Sequence, residues 1–225
     1  MFLSRIPSND RIAVVTYSNR SYVVLGFTSD KLAVQGALKD LNSQLLHARV
    51  GSDSLNLSSS LAAVLYWLRT VPGKKAIVLL SIGIDTSSPE NWQLIQQELK
   101  ASDVPLLAVS ALGDFRKFPE RQKLSADVRD EQAYVKRGMS EADQWLHQLS
   151  LATGGHAYFP KNSNDFDSAY TEIAEFVRGE YTLGFVPSLL DGKLHAITVK
   201  VKQPWYRSYH VDHREAYVAG APAAK

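Results

Sequence analysis

The chain has 225 residues, 45% of them hydrophobic and 21% charged, with a net charge of +2. That supports a sizeable core and gives no case for nucleic acid as an obligate partner. No apolar run reaches the ~18 residues of a membrane span, and with no cysteines disulfides, thiolate zinc sites and cysteine nucleophiles are excluded.

Met1 to Ile6 is a stub before the Pro7-Ser8-Asn9-Asp10 turn, and it lacks the apolar core of a signal peptide. Arg11 to Ser18 reads as a strand, and Asn19-Arg20 turns it into an antiparallel partner over Ser21 to Phe27. Thr28 or Ser29 is positioned to cap a helix through about Leu46, with an apolar stripe of Leu32, Leu38, Leu41 and Leu45. After a polar loop, Ser58-Ser59-Ser60 opens a second, largely apolar helix to about Arg69.

Lys74 to Ser87 (KKAIVLLSIGIDTS) is the centre of the pattern. Its unbroken apolar run predicts a strand covered on both faces, as in a parallel sheet. The polar loop that follows, with Thr86, Ser87 and Ser88 able to cap the next helix, lies at the strand's carboxyl end. Open α/β sheets bind ligands there, which places any site near Ser81 to Ser88.

Pro89 to Ser102 predicts a helix with proline in its first turn, and Val104 to Leu112 another buried strand. Gly113 to Gly138 is dense in charges of both signs and reads as a long solvated connection. Ser140 to Thr153 is a helix stopped by Gly154-Gly155, His156 to Phe159 a short strand, and Ser163 to Arg178 a helix. The period then drops to two. Tyr181 to Val186, His195 to Val201 and Arg207 to Val211 predict a small antiparallel unit. The expected division is an α/β domain over 1–179, a β extension over 180–218 and a loose tail over 219–225.

Six histidines give no catalytic grouping. His210 and His213 are three apart on an expected strand and point to opposite faces. His156 sits at a helix-to-strand turn, where bonding to backbone is the simpler role. No Gly-x-Ser-x-Gly elbow or phosphate loop is present, and the reading is non-enzymatic. Trp205-Tyr206 is either an aromatic anchor or packing within the β unit.

The phrases NDRIAVVTY (9–17), KKAIVLLSIGIDTSS (74–88), ATGGHAYFP (152–160) and EYTLGFVPSLLDGK (180–193) carry a family resemblance. The chain resembles the von Willebrand factor type A (VWFA) domain, and within it a VWFA-related branch common in Acidobacteria. The resemblance implies a doubly wound, mostly parallel sheet with helices on both faces and a small antiparallel unit appended. It also implies that the family's first central strand and its Asp-x-Ser-x-Ser loop are missing here, the chain starting near the end of the following helix as a fragment would. Family members are often exported, which leaves the compartment open.

The family's metal-ion-dependent adhesion site takes Mg²⁺ through oxygens from three loops. By resemblance Ser59 falls at the threonine ligand, and the Ser-Asp-Gly loop reads Ser81-Ile82-Gly83, with Ile82 in place of the metal-facing aspartate. Asp85 is a carboxylate two residues on. The expectation is a vestigial site at Ser59 and Asp85 without a resident cofactor, Mg²⁺ binding only if the missing loop is supplied. Capping by Ser58 to Ser60 and a turn role for Asp85 are the simpler roles. An unidentified protein ligand would contact Ser58, Ser60, Ser81, Ile82, Gly83 and Thr86. The alternatives are a Mg²⁺-dependent adhesion domain completed by a missing N-terminal segment, and a doubly wound enzyme binding a nucleotide or phosphate.

Overall fold

The computed structural model describes residues 2–47, 55–86, 88–113, 126–179, 183–202, 211 and 213–220. A single helical turn, α1 (Phe2–Arg5), precedes β1 (Ile12–Tyr17), which pairs antiparallel with β2 (Ser21–Thr28). The Lys31 ammonium donates to the Ile6 carbonyl and pins the entry segment to α2 (Lys31–His47). That helix is capped by Asp30, not by Thr28 or Ser29. Asp30 Oδ1 accepts from Leu32 N at 2.8 Å and Ala33 N at 3.2 Å, while Thr28 Oγ1 accepts from Asp30 N. A carboxylate satisfies two orphan N–H groups and complements the helix dipole. Of the expected stripe, Leu32 and Leu38 are exposed and Leu41 is half-buried, while Val34 is buried; the Leu45 side chain lies outside the described residues.

Helix α3 (Leu57–Leu68) leads to β3 (Ile77–Ser81), α4 (Pro89–Ala101) and β4 (Leu106–Ser110). Helix α5 (Ala126–Ala152), β5 (Ala157–Tyr158) and α6 (Ser163–Gly179) complete the α/β body. Strands β3, β4 and β5 form a parallel sheet in that order.

Helices cover both sheet faces. On one, Leu57, Leu61, Leu65 and Leu68 of α3, Trp92, Ile95 and Leu99 of α4, and Leu146 and Leu149 of α5 pack with Leu79, Leu106 and Ala108. Trp92 stacks on Trp145, centroids 5.1 Å apart, and ties α4 to α5. On the other face Leu107 and Val109 bury against Ile173 of α6. The register pairs Val78 with Leu107 and Leu80 with Val109, so all four share this face. Yet on β3 that face is open, with Val78 39% and Leu80 54% exposed. Among the described residues no backbone ladder joins β1 to β3.

Helix α5 begins 14 residues earlier than Ser140, so the second half of the expected connection is helical. Residues 133–139 are almost all exposed and lack an apolar stripe, which hides the helix from periodicity. Ala133, Lys136 and Arg137 favour helix locally, and the first half of the connection lies outside the described residues.

Among the described residues the appended unit is a single strand pair. Strand β6 (Leu194–Ala196) pairs antiparallel with β7 (Ala216–Val218). Residues 183–186 form no strand and are exposed, and Val201 is exposed as well. Most of the expected 207–211 strand, His210 and Trp205-Tyr206 lie outside the described residues. Ala219, which the sequence assigns to the tail, is fully buried; its N–H donates to the Lys193 carbonyl and its carbonyl accepts from Gly192 N.

Candidate functional site

The loop after β3 lies at the carboxyl end of the sheet, as its sequence position predicts. Ser81 is buried at its start, with its Oγ 2.6 Å from the Tyr17 hydroxyl and accepting from Gly83 N at 2.9 Å. Its carbonyl accepts from Ala111 N. Burial pushes the Tyr17 pKa up; the Ser81 hydrogen bond opposes this and the Asp85 charge adds to it.

Gly83 adopts φ +74°, and a Cβ there would lie 2.6 Å from the Ala142 carbonyl oxygen. Only glycine fits both the left-handed backbone and that approach to α5. Thr86 closes the loop, its N–H and its hydroxyl both donating to the Leu55 carbonyl at 2.7 and 3.0 Å. It therefore does not cap α4. Ser88 occupies that cap position without bonding the helix backbone, and its hydroxyl instead supports the Glu90 carboxylate, whose pKa falls.

Asp85 is more than a turn residue. Its Oδ2 accepts from Ser58 N at 2.6 Å, at the first turn of α3. The formal cap, Asn56, accepts from Ser59 N through Oδ1 at 3.1 Å, and its carbonyl accepts from Ser60 N. A carboxylate at a helix N-terminus meets both orphan donors and the positive end of the dipole. The expected capping by serine hydroxyls is thereby replaced by Asn56 and Asp85. Ser58 and Ser60 are buried, so neither offers its hydroxyl to a partner. Ser60 Oγ finds no hydrogen-bond partner among the described residues, whereas Ser59 is exposed.

On the neighbouring strand, the Ser110 hydroxyl donates to Asp143 Oδ1 of α5 at 3.1 Å. The structure thus brings Ser81, Ile82, Gly83, Asp85 and Thr86 to one end of the sheet with the α3 N-terminus. It adds Tyr17, Asn56, Ser110 and Asp143, which sequence reasoning did not single out. Tyr17 ends its strand, the one available hint; nothing local marked Asp143.

The residues do not fit a Mg²⁺ site. Hard divalent ions take about six oxygens, but Ile82 brings none, Asp85 Oδ2 holds a helix N–H, and the Ser81 hydroxyl is bonded to Tyr17 and Gly83. Among the described residues no three His, Asp or Glu side chains form a group able to hold a metal. What the loop presents outward is apolar and hydroxyl-bearing: Ile84 at 44% exposure, half-buried Ile82, and Thr86 and Ser59 in the open.

Comparison with solved structures adds a likeness to an aerotolerance-related membrane protein from Bacteroides fragilis NCTC 9343, determined with multiple mutations to serines. It has 12% identity and a TM-score of 0.52 over 80% of this chain and 84% of that one. The conserved hypothetical protein BatB from Bacteroides thetaiotaomicron gives 15% identity and a TM-score of 0.50 over 79% and 82%. The likeness is one of fold. No family model matches the sequence, and no curated protein matches it. No helix among the described residues is long and apolar enough to cross a membrane.

Proposed function

We propose that the chain is a non-enzymatic protein-binding module of the von Willebrand factor type A kind. It engages its ligand without metal through the loop that follows β3. The observation that carries this reading is the closure of the loop's polar groups on themselves. Tyr17 with Ser81, Asp85 with the α3 N–H, and Thr86 with Leu55 fix the backbone. The rigid loop then offers Ile82, Ile84, Thr86 and Ser59 as a small contact face. Preorganisation of that sort lowers the ordering cost of binding, and an apolar centre with a hydroxyl rim is how protein interfaces are built.

The family assignment rests on the sequence phrases that resemble it, and the likeness to the two solved structures supports its α/β frame.

A photo-crosslinking residue placed at position 84 tests the proposal in extract of the source cells. A control carries it at the exposed Tyr66 on α3. The expected result is a discrete adduct from position 84, absent from 66 and unchanged by EDTA. An adduct abolished by EDTA would assign a metal-dependent ligand, and equal labelling from both positions would remove the loop as the binding face.

A further inference from the structure

A second surface, at the other end of the sheet, has a different chemistry. The β6–β7 unit packs on α4 through β7. Arg214 Nη1 donates to the Ser102 carbonyl at 3.4 Å, just before β4, and the Arg214 backbone lies against Gly154, just before β5. The unit therefore sits at the amino ends of β4 and β5, away from the Ser81–Thr86 loop. The Gly154 contact is too close for any side chain, since a Cβ would lie 2.3 Å from Arg214 N at φ +73°.

Into this unit runs residues 183–190 (LGFVPSLL), eight positions without a charge. They form no regular secondary structure, and their large side chains stand in solvent, Val186 at 92% and Leu183 at 71% exposure. Leu189 and Leu190 are exposed beside them. The segment is anchored, not adrift. Phe185 meets the Tyr217 ring edge-on at 4.8 Å, Gly192 N donates to the Ala219 carbonyl, and Asp191 is hydrogen-bonded to His195 Nε2 at 2.9 Å. Monomeric surfaces rarely expose so much contiguous apolar chain.

The unit's own described charges have a sign. Lys193, Lys200 and Lys202 are all exposed, and Arg214 is half-buried. Against these four bases the unit carries two described acids, Asp191 and Glu215, and Asp191 is occupied by His195; Glu98 and Asp103 lie on the neighbouring α4 end with Ser102.

We propose that this unit docks on an anionic lipid surface, with Leu183, Val186, Leu189 and Leu190 entering the interfacial layer and Lys193, Lys200 and Lys202 facing the headgroups. Exposed apolar side chains and lysines carried on one unit combine the two forces that hold a protein on a membrane without spanning it. The irregular backbone of 183–190 limits insertion to that layer, because unpaired peptide groups are not tolerated in hydrocarbon. Docked in this way, the chain holds its Ser81–Thr86 loop away from the bilayer. The proposal is independent of the protein-binding reading, since it concerns the opposite end of the sheet.

Co-sedimentation of the full chain with phosphatidylcholine vesicles, with and without phosphatidylglycerol, tests it. The expected result is a pelleted fraction several-fold higher with phosphatidylglycerol, falling as salt is raised. It should be largely lost in a Leu189→Asp/Leu190→Asp variant and reduced in Lys200→Gln/Lys202→Gln, with unchanged circular dichroism in both. Failure of the unaltered chain to bind anionic vesicles would overturn the proposal. So would binding that the aspartate pair leaves intact, or concentration-dependent self-association that the same pair abolishes, which would assign the surface to a second copy.

Discussion

The Tyr17 hydroxyl and Ser81 Oγ, 64 positions apart in sequence, lie 2.6 Å from one another. This side-chain contact joins the carboxyl ends of β1 and β3, strands that share no backbone ladder among the described residues. Removing it by Tyr17→Phe should cost about 1 kcal/mol, the net value of such a bond plus the partner it leaves short. Burial raises the Tyr17 pKa above its ordinary 10.0. A group held protonated by folding contributes stability that is complete below its unfolded pKa and lost as pH rises through the folded one. Urea titrations should therefore show an alkaline loss of stability beginning near pH 10 that is smaller in Tyr17→Phe. Identical alkaline limbs would show that Tyr17 ionises freely.

The Asp85 carboxylate should matter to helix α3, not to a cation. Asp85→Ala removes the acceptor for Ser58 N and should lower stability by about 1 kcal/mol, the usual value of a helix-terminal cap. Calorimetry with Mg²⁺ or Mn²⁺ should find nothing tighter than about millimolar affinity in either form, as expected of too few oxygens. A micromolar site lost in Asp85→Ala would make Asp85 a ligand.

Gly83→Ala places a methyl group against the Ala142 carbonyl in a left-handed backbone. We expect a loss of roughly 1–3 kcal/mol and a displaced loop. Gly36 of α2 has open space at its Cβ position, so Gly36→Ala should stabilise by up to ~1 kcal/mol. Thermal melts of the pair separate strain from loss of glycine flexibility.

In the β6–β7 unit the anchor is Ala219, more than the alternating valines. Val199 is half-buried and Val201 exposed, whereas Ala219 is sealed. Ala219→Asp should cost several kcal/mol, because it buries an unpaired charge, and Val199→Asp distinctly less. Equal melting temperatures for both variants and the parent would make the unit a detachable appendage.

Val78 and Leu80 leave β3, at the edge of the described three-stranded sheet, with exposed apolar side chains. Such edges template aggregation, and inserted lysine blunts them. Leu80→Lys should reduce light scattering on concentration while shifting stability by less than ~1 kcal/mol, as an exposed substitution does. Unchanged scattering would show the face is not the aggregating surface.

The order of strands and helices, the carboxyl-end position of the Ser81–Thr86 loop and the stop at Gly154 were legible in sequence. They rest on periodicity and on local backbone chemistry. Capping was legible only in kind. Hydroxyls preceded both α2 and α4, yet α2 is capped by the Asp30 carboxylate and Ser88 makes no cap bond to α4, because the cap depends on where the first turn settles. Residues 133–139 of α5 were invisible because their exposed turns carry no apolar stripe, and 183–186 and 197–201 were overread because alternation survives in extended segments that make no ladder. Ser58 and Asp85 stand 27 positions apart, and Gly83 meets Ala142 from a different element. Contacts of that kind have no sequence period. They exist only once α3 and α5 have been packed against the sheet by their leucines, and that packing brings the Asp85 carboxylate to the first turn of α3.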